Sequence, residues 1–172
     1  METAIVSIIC IVLIVVGGMT LSQGFLTSAD TASMALEEVG TRDKEIMRTE
    51  LSTVSSEVDT SGNYVTLKLK NTGQEKLADF EKWDVIVQYF DGTGQYITLW
   101  LPYQAGTLGD NEWQVTALTM DGAAESFEPS ILNPNETIEM QVKLNPGVGA
   151  GTTNMIVAST PNGIPVSVYF VH

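Results

Sequence analysis

An α+β fold is predicted by the sequence, with one long hydrophobic N-terminal α-helix followed by an antiparallel, Ig-like β-sandwich. Three observations predict it. No charged residue occurs between Thr3 and Ala29. From Ile46 onward, apolar and polar residues alternate along short runs, and turn-forming sequences separate those runs. We therefore divide the chain into residues 1–45, the helix, and residues 46–172, the β-domain.

The helix begins as a run that is apolar on every side. Ala4 to Phe25 is dense in Ile, Val and Leu, and at about 1.5 Å per residue it would be about 33 Å long. That length is enough to cross the hydrocarbon layer of a membrane. Because this helix has no polar face, it must lie in lipid or be enclosed by other protein.

Beyond Phe25 the predicted helix becomes amphipathic. Its apolar residues fall on one stripe at helical spacing, namely Phe25, Ala29, Ala32, Leu36, Val39 and Ile46. The small residues in this stripe would let neighbouring helices approach closely. Gly17-Gly18 is expected to mark close contact or a local kink, and Gly40 is expected to end or bend a rod of about 35–40 residues.

The β-domain is predicted to hold seven or eight short strands without intervening helices. These are Ile46–Val58, Tyr64–Lys70, Trp83–Phe90, Gln95–Leu101, Trp113–Met120, Thr137–Leu144, Asn154–Ser159 and Ile164–Val171. A bulge is expected in the first, since Leu51 and Val54 do not alternate. Turn residues such as Asp59–Asn63 separate the strands, which is typical of a two-sheet antiparallel sandwich.

Alternation also predicts which side chains face the core. The inward set on the two clearest strands is Val65, Leu67, Leu69, Ile138, Met140, Val142 and Leu144. Trp83, Phe90, Trp100 and Trp113 are predicted to join them because large aromatic side chains dominate core packing.

The composition argues against several classes of function. The net charge is -13, with 21 acidic and 8 basic residues, which disfavours nucleic-acid binding because that needs Lys/Arg clusters. His172 is the only histidine and Cys10 the only cysteine, so no Ser/His/Asp triad or histidine metal cluster can be built within one chain. We expect no enzyme, no catalytic residues, no cofactor and no small-molecule substrate.

Two surface features could carry chemistry of another kind. Acidic loop residues could bind Ca²⁺, either Asp110 with Glu112 or the set Asp121, Glu125 and Glu128, but they lack the ligand spacing of a calcium loop. A solvated acidic face is the simpler interpretation, and no metal site is expected. Asn135-Glu136-Thr137 is the only N-x-[ST] sequon, which makes Asn135 a candidate for N-glycosylation.

The residues before the apolar run do not fit a secretory signal peptide, which needs a basic start. The first basic residues, Arg42, Lys44 and Arg48, come well after the helix. A simple membrane anchor would be unusual with so short and acidic a flank. We therefore expect that a short basic leader preceded Met1 and was removed.

The plan of the whole chain resembles the archaellins, the filament subunits of the archaeal swimming appendage, which share the type IV pilin plan. The stretches that look like their β-domain are Leu67–Gly73, Trp83–Val85, Leu132–Thr137 and Thr160–Ile164. Type IV pilins usually carry glutamate at the fifth mature position, where this chain has Ile5, and an uncharged residue there is nearer the archaellin habit.

The resemblance implies that a membrane peptidase removes the leader, that the monomer is held in the membrane, and that its helix then enters a filament. Partners would be many copies of the chain, the membrane before assembly, and the envelope assembly and motor machinery. The resulting homopolymer would lie outside the cell.

The expected filament-core packing residues are Ile5, Ile8, Ile9, Ile11, Val12, Leu13, Val15, Val16, Leu21, Phe25, Ala29, Ala32, Leu36 and Val39. Outside lipid, large apolar side chains on such a helix would each cost about 1.5–3 kcal/mol to expose, so copies must bury one another. Two alternatives stay open: a membrane-anchored accessory or binding β-domain of the same machinery, and an adhesive type IV pilus subunit.

Overall fold

The computed structural model describes residues 2–125 and 127–172, so Met1 and Ser126 lie outside the described residues. The chain falls into two compact units that divide between Lys44 and Glu45. The first unit is helical, and the second contains the end of the helix and all the strands. The predicted fold class, a long N-terminal helix followed by two antiparallel sheets, is confirmed.

A long α-helix, α1, runs over Glu2–Arg48. It continues through Gly17-Gly18, and it also continues through Gly40, where the sequence predicted an end or bend. The predicted end is wrong because Gly40 is not among the glycines with positive φ, the conformation that a terminating glycine adopts. A bend at Gly40 stays a prediction. The residues after it, Thr41–Arg48, are mostly good helix formers such as Arg, Lys, Glu and Met.

The helix ends at Arg48 because Thr49 closes its last turn. The Thr49 backbone N–H donates to the Ile46 carbonyl at 3.2 Å, and the Thr49 hydroxyl donates to the Glu45 carbonyl at 2.8 Å. The Asn162 side-chain amide in turn donates to the Thr49 hydroxyl at 2.9 Å. The first predicted strand therefore began too early: Ile46 is helical.

In residues 2–125 and 127–172, nine strands form two antiparallel sheets. They are β1 (Leu51–Val58), β2 (Tyr64–Asn71), β3 (Asp84–Phe90), β4 (Tyr96–Leu101), β5 (Glu112–Met120), β6 (Ala123–Ala124), β7 (Thr137–Lys143), β8 (Thr153–Ser159) and β9 (Pro165–Val171). The five-stranded sheet has the order β1-β2-β7-β5-β6, and the four-stranded sheet has the order β4-β3-β8-β9. A 3-10 helix over Phe80–Lys82 precedes β3.

The inner faces of both sheets share one hydrophobic core. All seven residues assigned to the core by strand alternation in β2 and around β7 are buried, as are Trp83 and Trp113. Two aromatic predictions are wrong, since Trp100 is 59% exposed and Phe90 is 38% exposed. Each points away from the core because its strand places it in phase with other outward residues, Trp100 with Tyr96 and Phe90 with Ile86.

Local irregularities fall where the sequence indicates them. The pairing of β1 with β2 shifts register between Thr53 and Ser55, which confirms the predicted bulge. The turn between these strands is fixed by the Asp59 carboxylate, which accepts from the Tyr64 backbone N–H at 2.8 Å. Desolvation raises the pKa of Asp59, but hydrogen bonds from the Ser61 hydroxyl and from backbone N–H groups, including that of Tyr64, outweigh it, so the pKa is lowered.

Candidate functional site: the exposed apolar helix

The candidate site is the surface of α1 between Thr3 and Lys44. The large apolar side chains predicted to pack in a filament core are all exposed, between 48% for Val15 and 78% for Leu21. Ala29 and Ala32 are exposed as well. An apolar helical surface of this length, uncovered by the chain itself, needs an occupant from outside the chain.

Several hydroxyl side chains within this helix are satisfied by the helix itself. Four of them donate to a backbone carbonyl one turn earlier: Ser7 to Thr3, Thr20 to Gly17, Thr27 to Gln23 and Thr31 to Thr27, all at 2.9 Å. These groups can therefore enter an apolar environment without an unpaired donor. The helix surface is suited to lipid or to other helices along its whole apolar part.

The helix glycines leave bare backbone on this surface. Apart from the adjacent residues and the helix's own nearby backbone, a Cβ added at Gly17, Gly18 or Gly24 would meet no atom of this chain within 4 Å. Small residues of this kind allow the backbones of two helices to approach closely. In the described part of the chain, one helix is long and apolar enough to cross a membrane, judged by length and composition. No part of its most apolar segment is buried.

Three of the acidic residues considered for Ca²⁺, namely Asp110, Glu112 and Glu128, have other partners. Asp110 pairs with Lys143 at 2.7 Å, and hydrogen bonds from Lys143 and Asn145 lower the pKa of its carboxyl. Glu112 accepts from the Gly109 backbone N–H at 2.7 Å. Residues 2–125 and 127–172 contain no group of three or more His, Cys, Asp or Glu side chains that could hold a metal ion.

Glu128 likewise forms an ion pair, at 2.9 Å with Lys76, and the hydrogen bond from Lys76 is the largest cause of its lowered pKa. Asp110 and Glu128 are therefore surface charges balanced by lysines.

The sequon asparagine lies on a turn that leads into β7. Asn135 is exposed and adopts φ 72°, while its backbone N–H donates to the Asn71 carbonyl at 2.8 Å. The neighbouring Glu136 is buried and accepts from the Asn133 backbone N–H at 2.7 Å. The turn is thus fixed by backbone and Glu136 contacts, which leave the Asn135 side chain accessible.

Sequence reasoning missed one exposed surface. By assigning Trp100 and Phe90 to the core, it overlooked that both lie on the outer face of the four-stranded sheet. The available signal was the alternation of Tyr96, Thr98 and Trp100, which puts all three on one side of β4.

Comparison with known proteins agrees with this architecture. One family, described as archaeal-type flagellin, matches residues 1–170. No curated protein sequence matches significantly.

Several solved structures share the fold. The archaeal flagellum of Methanospirillum hungatei strain JF1 is 15% identical with a TM-score of 0.60, and the alignment covers 96% of this chain and 90% of that one. The archaellum periplasmic stator protein FlaG of Sulfolobus acidocaldarius is 22% identical with a TM-score of 0.52, covering 71% of this chain and 99% of that one. A chain of the FlaF–FlaG stator complex from the same organism is 23% identical with a TM-score of 0.53, covering 71% and 89%.

The family match extends over nearly the whole sequence, including the exposed helix and the sandwich. The chain therefore belongs to the archaeal-type flagellin family.

Proposed function

We propose that this chain is the structural subunit of an extracellular, archaellum-type motility filament, in which copies bury their N-terminal helices in a central bundle. The observation that carries the proposal is the exposed apolar surface of α1. Seventeen large apolar side chains before Lys44 are exposed among the described residues. At about 1.5–3 kcal/mol each, their full burial would contribute on the order of 25–50 kcal/mol per chain, as an upper bound.

Burial on this scale is available from two environments. In a membrane, lipid covers the helix; outside a membrane, only equivalent helices offer an apolar surface of the same length. We therefore infer that the monomer is held in the membrane before assembly and moves directly into the helical bundle. Envelope assembly and motor machinery would perform this transfer.

In the bundle, the packing residues would be the predicted set from Ile5 to Val39, with Gly17, Gly18 and Gly24 at close helix contacts. Repeating one heterologous contact without closure generates a helical polymer. The sandwich would then face solvent, where a net charge of -13 favours solubility.

We further propose that Asn135 carries an N-linked glycan on the filament surface. Its exposure and the fixed turn around it support this proposal. The sequon Thr137 is the first residue of β7, so the sugar would project from the start of a strand.

The alternative is a membrane-anchored accessory protein of the same machinery. The likeness to stator proteins covers 71% of this chain, and at this identity it concerns fold alone. Shearing filaments from cells and identifying the chain of the major band separates the two functions. A filament subunit is the major band, whereas an accessory protein stays with the cell membrane and is absent from the sheared filament.

A further inference from the structure

The outer face of the four-stranded sheet is aromatic and almost free of charge. It has fifteen outward positions, three on β4 and four on each of β3, β8 and β9, and Asp84 is the only charged residue among them. Its exposed large apolar residues are Ile86, Phe90, Tyr96, Trp100, Tyr169 and Val171. Strand register aligns Trp100, Ile86, Val157 and Ser167 in one row across all four strands.

The outer face of the five-stranded sheet has the opposite character. On its strands β2 and β7, four of the eight outward residues are charged: Lys68, Lys70, Glu139 and Lys143. Lys68 pairs with Glu139 at 3.1 Å. That face is suited to water. The contrast between two faces of one sandwich indicates that only the four-stranded face is built to be covered.

Two polar donors of the four-stranded face, on Trp100 and Tyr96, already have partners within it. Trp100 Nε1 donates to the Asp84 carboxylate at 3.0 Å, and the Tyr96 hydroxyl donates to Gln88 Oε1 at 3.1 Å. The rings of Phe90 and Tyr96 lie 5.0 Å apart. A partner can therefore cover the face without leaving these donors unpaired, which would otherwise oppose binding.

Net charge restricts where two copies of this protein can meet. Each copy carries -13, so most contacts between copies bring like charges together. The four-stranded face, with its single carboxylate, is the extended sheet surface where this repulsion is weakest. In a homopolymer, the neighbours of every subunit are other copies of the same chain. A second copy therefore both lies close enough to cover this face and offers an apolar, nearly uncharged surface to pack against it.

The size of the face fits a role within a polymer. Four strands about 4.8 Å apart and about seven residues long present a face of roughly 14 by 23 Å. That area is below the ~800 Å² per partner of an independently stable complex. Joining copies through their helices supplies an effective concentration in the ~mM range, at which a small apolar contact is occupied.

We propose that the outer face of β4-β3-β8-β9 is a subunit interface, covered in the filament by the β-domain of a neighbouring copy. This inference rests on the proposed filament function. It assigns the four-stranded face, and not the five-stranded face, to the contact between the outer domains of neighbouring copies.

Hydroxyl-radical footprinting, read by mass spectrometry, tests the interface on the full chain. Labelling is compared between purified filaments and the same chain dispersed in detergent. Burial of Trp100 from 59% exposure to on the order of 10% in an interface core lowers its labelling about sixfold. Tyr169 is expected to follow, while Tyr64, on the five-stranded face, labels equally in both states. Equal labelling of Trp100 and Tyr169 in both states would overturn the proposal.

A charge placed on the face gives a second, independent measurement. Ser167→Glu puts a carboxylate in the Trp100 row, and Ser52→Glu is the matched control on the other sheet, opposite Lys70. The fraction of chain that sediments as filament after mild heating falls several-fold for Ser167→Glu and stays at the wild-type level for Ser52→Glu. Equal behaviour of the two variants contradicts the interface.

The remaining outcomes separate this proposal from the proposed function. A native chain that never forms filaments contradicts the function and the interface together. Filaments whose four-stranded face is fully labelled contradict the interface alone. Protection on intact cells that disappears in purified filaments assigns the face to another envelope component, and the proposal is then wrong.

Discussion

Replacing Leu13 by aspartate should abolish filaments while leaving the subunit in the membrane. Leu13 lies in the middle of the apolar run and is 65% exposed in the single chain, so the substitution does not touch the sandwich core. In a helix bundle it removes about 1–2 kcal/mol of apolar burial and adds several kcal/mol for a carboxylate that no basic residue of the apolar run can pair. Because every copy carries the change, the cost recurs at each subunit.

Membrane insertion is expected to survive the same change. Besides Leu13, about eleven Ile, Val, Leu and Phe residues lie between Ala4 and Phe25. On insertion scales each contributes about -0.3 to -0.6 kcal/mol, or roughly -3 to -7 kcal/mol together. One Asp at the helix centre opposes insertion by about +2.5 to +3.5 kcal/mol. The sum of these two contributions leaves the free energy of membrane insertion near zero or favourable. In a packed helix bundle, by contrast, no water can reach the carboxylate, so its full desolvation cost remains.

The assay measures sheared filaments and the membrane pool from the same cells. Leu13→Met, which conserves volume and apolar character, is the control and should assemble normally. Leu13→Asp should give no filaments, a retained membrane pool, and unchanged fluorescence from the buried Trp83 and Trp113. Wild-type yields of filament from Leu13→Asp would refute the bundle as the site of helix burial.

Three further predictions concern the β-domain. Leu67→Ala, at a fully buried position, should lower the free energy of unfolding, measured by urea titration, by about 2–5 kcal/mol. The control Thr66→Ala, on the outward face of the same strand, should change it by less than about 0.5 kcal/mol. Equal effects of the two substitutions would contradict the assigned faces. Asp91 accepts hydrogen bonds from the backbone N–H and hydroxyl of Thr93, and the hydroxyl bond is the largest cause of its lowered pKa. Because the pKa of Asp91 is lower in the folded state, this stabilisation is present above the unfolded-state pKa of about 3.9. It is lost as the pH falls through the lower folded-state pKa. Asp91→Asn should therefore melt at a lower temperature at neutral pH and lose less stability on acidification, and an unaltered pH profile would contradict this role of Asp91. Asn135→Gln should remove glycan mass from the filament subunit, detectable by mass spectrometry. Because Asn135 adopts φ 72°, a conformation that Asn tolerates better than Gln, the melting temperature should fall slightly. A mass that differs from the wild type only by the substitution itself would exclude a glycan at this residue.

The strands could be predicted because local pattern and fold agree along most of the β-domain. In β2 and β7, apolar residues occupy alternate positions with polar residues between them, and every inward prediction is buried. Turn residues such as Asp59 and Gly62 act through local geometry: Gly62 adopts φ 72°, and its N–H donates to the Asp59 carbonyl at 3.0 Å. These turn hydrogen bonds join residues that are neighbours in the sequence.

The errors occur where tertiary context decides. Gly40 could end a helix only if the following residue pattern also stopped, and Thr41–Arg48 continues it. Trp100 was assigned to the core because of its size, although hydrophobic residues occupy both faces of β4, so composition could not distinguish the faces. Pairing with β3 distinguishes the two faces of β4. Ile86 is paired with Trp100 and points outward, so Trp100 also points outward.

The measurement that tests the account most directly is the imaging of one purified filament at residue resolution. We expect the residues from Ile5 to Val39 to lie at the filament axis, covered by the same residues of neighbouring copies, with the sandwiches outside. A filament whose axis holds the β-domains, or in which Ile5, Leu13 and Leu21 face solvent, would contradict it.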